Sequence, residues 1–340
     1  MSITFIGDNF QSTNRVLSGC YSLDWALGDS LGNFGIPVRS VIEVYGAKNV
    51  GKSTFCFSLL GLIAKALGKN ISILDWEGQS RETIEGVLVN QGFVGQVNYL
   101  LNKGDESSED TLERFLEGLL DESQNVGLMD SIGAFRPTAL LEGKIGDANM
   151  GVFAREMGQF AGKLINGQLR ADEPGVVFLT NHVHPTIGGM VQGQITSGGE
   201  KKKYLAHVRI DLKRAFLGTS TADLGESFLL RGRIDSNRFG YSKREFHVFM
   251  VGGEGIHIGL TAMWDCIVSG LATLSAKKIS ESNTVSLDGQ SMGKLGYIIK
   301  HRNDDPNFFV PFINALRTND VEVPAEDEVE DEPKKKGKKK

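Results

Sequence analysis

The sequence predicts an α/β protein built on a mostly parallel, twisted central sheet. Three observations predict it. Short β-branched runs alternate with helical patterns from about residue 35 to 250, the signature of βαβ units. Several of those runs stop on polar residues (Asp75, Asp130 and the pair Asn181-His182), at the strand ends where open α/β sheets gather ligands. A glycine-rich turn with the spacing of a phosphate-binding loop joins the first run to the first long helix.

Taken in order, strands are expected at 40–45, 71–75, 126–130, 175–180 and 206–213, with a later strand pair at 227–234 and 245–251. Helices are expected at 53–67, 81–91, 110–120 and 150–167. Pro185 argues against regular structure continuing past Asn181-His182. The segment 186–199, rich in Gly, Gln, Ser and Thr, reads as a long functional loop. This divides the chain into an arm at 1–16, a core at 17–254, a small α+β unit at 255–318 and a tail at 319–340. There are no internal repeats.

Composition narrows the class. A chain of 340 residues buries a large core, and 40% apolar with 23% charged residues is ordinary for a globular protein. No apolar run reaches the length of a membrane span; the longest, 55–67, is broken by Lys65. Residues 1–14 lack the three regions of a signal peptide. Cys20, Cys56 and Cys266 are few, odd in number and far apart, which reads as buried thiols in a reducing compartment, by default the cytoplasm. The net charge of −5 is unevenly placed: 320–333 is dominated by Glu and Asp, and 334–340 is almost all Lys. Neither block carries enough apolar residues to fold, so the end reads as a disordered tail whose lysines are either solvated or a weak guide for nucleic acid.

Gly46-Ala47-Lys48-Asn49-Val50-Gly51-Lys52-Ser53 matches G-x-x-x-x-G-K-[ST]. It follows an apolar strand and opens an amphipathic helix, so the loop amides and the helix N-terminus, through Thr54, point at ATP phosphates. Lys52 would neutralise the β- and γ-phosphates and the Ser53 hydroxyl would hold Mg²⁺. Asp130 ends an apolar strand, as a carboxylate reaching that Mg²⁺ must. Read from the residues alone, Glu77 is either a solvated strand-end carboxylate or the group that polarises the attacking water. His182 and His184, with no third ligand, make poor evidence for zinc.

A longer pattern then becomes visible. The segment from Leu17-Ser18 through Leu23-Asp24 to Leu27-Gly28 resembles the approach to the P-loop in RecA recombinases. The likeness continues through Leu74-Asp75-Trp76-Glu77 and Met129-Asp130-Ser131. Residues 141–155, with Asp147, Met150, Gly151 and Arg155, are similar to the family's first DNA-binding loop and the helix after it. Thr180-Asn181-His182 is similar to the sensor that opens the second loop, with His182 where bacterial RecA carries Gln; phage UvsX-type recombinases share the Asn-His pair. Gly198-Gly199, Lys203-Tyr204 and Val208-Arg209 complete the likeness, which covers about 17–320.

The resemblance implies a RecA-like fold and a DNA-dependent ATPase of the cytoplasm, in a bacterial cell or a phage-infected host. It implies a helical filament on single-stranded DNA that pairs it with homologous duplex, served by a single-strand-binding protein and a loading mediator. ATP and Mg²⁺ are the implied cofactors. Glu77 takes the place of the catalytic base and His182 that of the γ-phosphate sensor. Met150 and Ile187, on loops 141–151 and 183–199, stand where apolar wedges enter between base triplets. Gly151, Arg155, Gly198, Gly199, Lys203 and Arg209 fall at phosphate contacts. Arg231 and Arg233 match a basic pair of the secondary DNA site. Arg238 stands near a residue that reaches across to the neighbour's ATP; its other reading is a surface Arg between strands. Ile84 falls where the family stacks a Tyr on adenine. The alternatives are a RecA-fold mediator or paralogue without strand exchange, a hexameric helicase, and a non-enzymatic nucleotide-binding scaffold.

Overall fold

The computed structural model describes residues 15–101, 107–121, 125–139, 151–170, 175–185, 194–196, 206–215, 227–276 and 279–319. Its elements open with β1 (Arg15–Val16), α1 (Tyr21–Ala26), β2 (Ile36–Pro37), β3 (Ser40–Gly46) and α2 (Lys52–Leu67). β4 (Ile71–Asp75), α3 (Arg81–Asn90), β5 (Val97–Leu101), α4 (Ser108–Leu120) and β6 (Val126–Asp130) follow. Next come α5 (Val152–Arg170), β7 (Val176–Pro185), β8 (Gln194–Thr196), β9 (Val208–Ala215), β10 (Ser227–Asn237), β11 (Glu245–Val251) and β12 (Gly255–Ile256). The chain closes with α6 (Ile258–Val268), β13 (Ala272–Leu274), β14 (Thr284–Leu287), β15 (Gln290–Lys294), α7 (Leu295–Lys300) and α8 (Val310–Asn319).

The large sheet has the order β12-β11-β10-β9-β3-β7-β6-β4-β5, with β8 beside β7. β9, β3, β7, β6, β4 and β5 run parallel, and β10, β11 and β12 extend the sheet antiparallel. The predicted parallel α/β sheet is therefore present. β3 does not pair with β4; β7 and β6 lie between them, so α2 crosses over both strands after leaving the P-loop. Alternate residues of the buried strands fill two layers. Ile42, Val44, Ile73, Leu128 and Phe178 pack with Phe55 and Leu59 of α2 on one face. Val41, Leu74, Met129, Val177 and Leu179 pack with Phe115 of α4 and Phe160 of α5 on the other. This is the period-two geometry of a strand covered on both sides.

Three differences from the sequence reading stand out. β7 runs five residues beyond Thr180 and returns through β8, with Val183 opposite Thr196 and Pro185 opposite Gln194. Pro185 is the last residue of its strand, where a missing N–H costs least, and Ile195 and Thr196 are good strand formers, so segment 186–199 is not loop throughout. Second, α1 and β5 form without a long apolar period to announce them. Third, the boundary at 254/255 falls inside the large sheet, because β12 still pairs with β11. Helix α6 then packs on Phe249 and Val251 of β11, so the 255–318 unit shares its core with the sheet. All three cysteines are free and buried. Among the described residues no helix is long and apolar enough to cross a membrane.

Candidate functional site

The P-loop is shaped by close approach and unusual backbone. A Cβ on Gly46 would sit 2.4 Å from the Leu212 carbonyl oxygen, so only glycine lets β9 pass this close. Asn49 and Gly51 hold φ of 61° and 108°, which Asn tolerates and Gly adopts freely. Gly51 is the N-cap of α2 and brings no side chain to cap it, so the first-turn amides are left to face an anion. Lys52 is 5% exposed. Its Nζ donates to the carbonyls of Ala47 (2.9 Å) and Gly46 (3.3 Å), folding the side chain back over the loop.

Strand register then gathers the remaining groups. Gly46 lies opposite His182 and Tyr45 opposite Asn181 across β3 and β7, and Asp75 lies opposite Asp130 across β4 and β6. Asp130 is 1% exposed. Its Oδ1 accepts from Thr180 Oγ1 at 2.5 Å, while Oδ2 is buried with no hydrogen-bond partner of its own. Burial pushes the Asp130 pKa up, against the pull of the Thr180 and Ser53 hydroxyls. A buried carboxylate oxygen with nothing to accept, beside the Ser53 hydroxyl, fits a hard divalent cation such as Mg²⁺.

Glu77 sits on the turn after β4, and Asp75 builds that turn. Asp75 Oδ1 accepts from the amides of Glu77 and Gly78 (both 2.8 Å), and Oδ2 accepts from the Gln79 amide (2.6 Å). The Trp76 amide donates to the Asp130 carbonyl at 2.7 Å, tying the turn to β6. Glu77 Oε1 then accepts from Ser131 Oγ at 2.6 Å and meets His182 Nε2 at 2.9 Å. The other imidazole nitrogen, Nδ1, lies 3.2 Å from Lys52 Nζ. An ammonium only donates, so Nδ1 accepts and Nε2 carries the proton given to Glu77. Burial pushes the Glu77 pKa up, but the donors Ser131 and His182 and the charge of Lys52 outweigh it, so the carboxyl stays below its usual range. Burial lowers the Lys52 pKa, with Glu77 and Asp130 opposing.

Lys52, Ser53, Glu77, Asp130 and His182 thus converge at the carboxyl ends of four neighbouring strands. Sequence reasoning gave no role to Asp75, Ser131 or Thr180. All three carried a signal, standing with Glu77, Asp130 and Asn181 in the quoted motifs.

Two expected site residues are corrected. Arg209 is 5% exposed; its Nε donates to Glu43 at 2.6 Å and its Nη1 to Asp235 at 2.8 Å, so the guanidinium is spent inside the sheet rather than offered to DNA. Glu43 also accepts from Asn181 Nδ2 at 2.8 Å, which links this buried pair to the residue before His182. Ile84 is 3% exposed and packs in the α2 layer with Val87 and Leu88, on the apolar stripe of α3, so it offers no surface to adenine.

The remaining basic residues sit on the surface. Gly151 (φ 99°) and Arg155 are exposed at the start of α5. Arg231 and Arg233 share one face of β10, beside Lys213 of β9, and Arg231 is held by Glu245 at 2.6 Å. Arg238 is exposed just after β10; its amide donates to the His207 carbonyl, and the His207 amide to the Val41 carbonyl. That places it at the amino end of β3, five residues or roughly 17 Å from its own P-loop. Met150, Ile187, Gly198, Gly199 and Lys203 lie outside the described residues, as do 1–14 of the arm and 320–340 of the tail.

A family model described as the RecA N-terminal domain matches residues 1–257. The chain belongs to the RecA family. Among solved structures it is similar to the RadB recombinase at 17% identity, over 71% of this chain and 98% of that one, with a TM-score of 0.53. At that identity the likeness speaks for the fold, which is RecA-like. Membership makes this a recombination-related, nucleotide-binding ATPase in general terms.

Proposed function

We propose that the chain is a DNA-dependent ATPase and homologous recombinase that forms a helical filament on single-stranded DNA and exchanges strands with homologous duplex. One observation carries this reading: His182 bridges Lys52 and Glu77. His182 stands on β7, which runs on into the second loop, so a change in that loop reaches the phosphate-binding ammonium and the water-activating carboxylate together.

The residues divide the work. The amides from Gly46 to Thr54 and the Lys52 ammonium bind and orient the ATP phosphates. Ser53 and Asp130 would hold Mg²⁺, which would neutralise the charge that develops on the phosphates. Glu77, kept ionised, orients the attacking water and takes its proton. Before that it must leave His182, and Lys52 must leave the Ala47 carbonyl; both groups are occupied in the structure described. Arg155, Gly151, Met150, Ile187, Gly198, Gly199 and Lys203 line the primary strand, and Arg231 and Arg233 the secondary duplex site, through sequence-independent contacts. A neighbouring copy's Arg238 closes the phosphate site.

The test is strand exchange between circular single strands and homologous duplex with ATP and Mg²⁺, beside ATP turnover with and without DNA. Joint molecules are expected. DNA-stimulated turnover without joint molecules would point to a mediator-type ATPase, and turnover indifferent to DNA would refute the reading. In the same assay Glu77→Gln should keep ATP binding and lose turnover by about 10²- to 10⁴-fold.

A further inference from the structure

We propose that Tyr99, on the edge strand of the sheet, is a positioning residue for Glu77. This rests on the ATPase reading above.

β5 is the last strand of the sheet and its outward side chains are exposed, Tyr99 at 39%. An aromatic ring there needs no explanation, but its hydroxyl does. Tyr99 Oη donates to Asp75 Oδ2 at 2.6 Å, reaching along β5 past its own register partner, Ile73. Asp75 is fully buried. It takes four donors, which saturates a carboxylate. Three are the amides of Glu77, Gly78 and Gln79, and the fourth is the phenol. The three amides move with the turn they define. Tyr99 is anchored in a strand, so it fixes the rotation of the Asp75 carboxylate from outside.

That rotation sets the turn, and the turn sets Glu77. Glu77 Oε1 is aimed at Ser131 Oγ (2.6 Å) and His182 Nε2 (2.9 Å), short contacts that a shift of a few tenths of an ångström degrades. Removing the phenol leaves a buried carboxylate lone pair without a donor. The carboxylate then turns to share the three amides it already holds between both oxygens, carrying the Glu77 backbone with it. Lys52 is held by the Gly46 and Ala47 carbonyls and the Asp130 carboxylate by Thr180, all outside the turn, and both stay in place. The consequence falls on the water-activating step and not on nucleotide binding.

The experiment uses the full chain with single-stranded DNA and Mg²⁺. Tyr99→Phe is expected to lower kcat about tenfold to a hundredfold, with KM for ATP and the Kd of a fluorescent ATP analogue changed by less than about twofold. The acidic limb of the kcat–pH profile should move to higher pH, because Glu77, once it has left His182, loses the aligned Ser131 donor that holds its pKa down. In a Glu77→Gln background the same substitution should cost nothing further, since the group being positioned is gone. Unchanged kcat in Tyr99→Phe, an equal loss in the Glu77→Gln background, or a variant that fails to fold would each overturn the proposal; Tyr99 would then be holding only the sheet edge. Turnover that survives Glu77→Gln would instead refute the reading on which the proposal rests, so the two failures are separable.

Discussion

Replacing Arg209 by Met separates a buried ion pair from a DNA contact. The Arg209 side chain is 6% exposed and that of Glu43 3%, and they meet at 2.6 Å with the Tyr45 ring 4.7 Å from the guanidinium. Met fills most of the aliphatic volume but strands the Glu43 carboxylate in the sheet with only the Asn181 amide to stabilise it. Leaving one member of a buried pair unpartnered costs about 3–5 kcal/mol, much of a typical domain's stability. The assay is guanidinium unfolding of Arg209→Met beside the double variant Arg209→Met/Glu43→Leu. The single variant should lose about 3–5 kcal/mol and the double variant recover most of it, because no charge is then stranded. DNA affinity, measured by fluorescence anisotropy under conditions where both are folded, should fall no more than several-fold. A single variant with an unchanged unfolding midpoint and lost DNA binding would refute the burial argument.

Asp265, fully buried, is pushed up to about 7 by burial and by Asp24, itself raised to about 6 by burial. A carboxyl that titrates higher when folded contributes its stability at low pH and loses it as pH rises, here between about pH 4 and 7 and worth ~4 kcal/mol. The melting temperature should therefore fall across that window, and Asp265→Asn should flatten the fall; parallel curves would exclude Asp265 as its source. Arg238→Ala is expected to lose DNA-stimulated turnover while keeping ATP binding. Mixing it with Lys52→Ala should restore part of the rate, since an intact P-loop then meets an intact Arg238 from another copy; no recovery on mixing would place Arg238 outside the neighbour's site.

What the sequence made legible was what is local. The P-loop is read from eight consecutive residues because strand, turn and helix N-terminus are adjacent in the chain. Asp130 and Glu77 were found because one ends its strand and the other stands two residues past the end of its own. Strand order was not legible: nothing near Ser40–Gly46 says that β7 and β9 flank it, since that is settled by long-range packing. Arg209 was misread for the same reason. In the chain it is a basic residue that closes the likeness to the second DNA loop; only the β3–β9 register, with Glu43 opposite Arg209, shows a buried partner. Ile84 was assigned by position in a resemblance, whereas its helical neighbours Val87 and Leu88 already gave the apolar stripe that buries it. Tyr99 went unnoticed because β5 has little amphipathic contrast and its functional atom meets a residue in another strand.

β11 belongs to two interiors at once. Phe246, Val248 and Met250 pack on the α2 side, while Phe249 and Val251 pack with Leu260, Met263 and Trp264 of α6. A chain cut near residue 257, where the family model ends, would therefore bare a strip of aromatic and aliphatic side chains on the sheet itself. The segment from Ile258 to Asn319 cannot behave as an appendage that unravels first and leaves the ATPase intact. Heating should melt both interiors in a single cooperative step, and whatever pulls on the C-terminal helices pulls on the sheet that carries the P-loop.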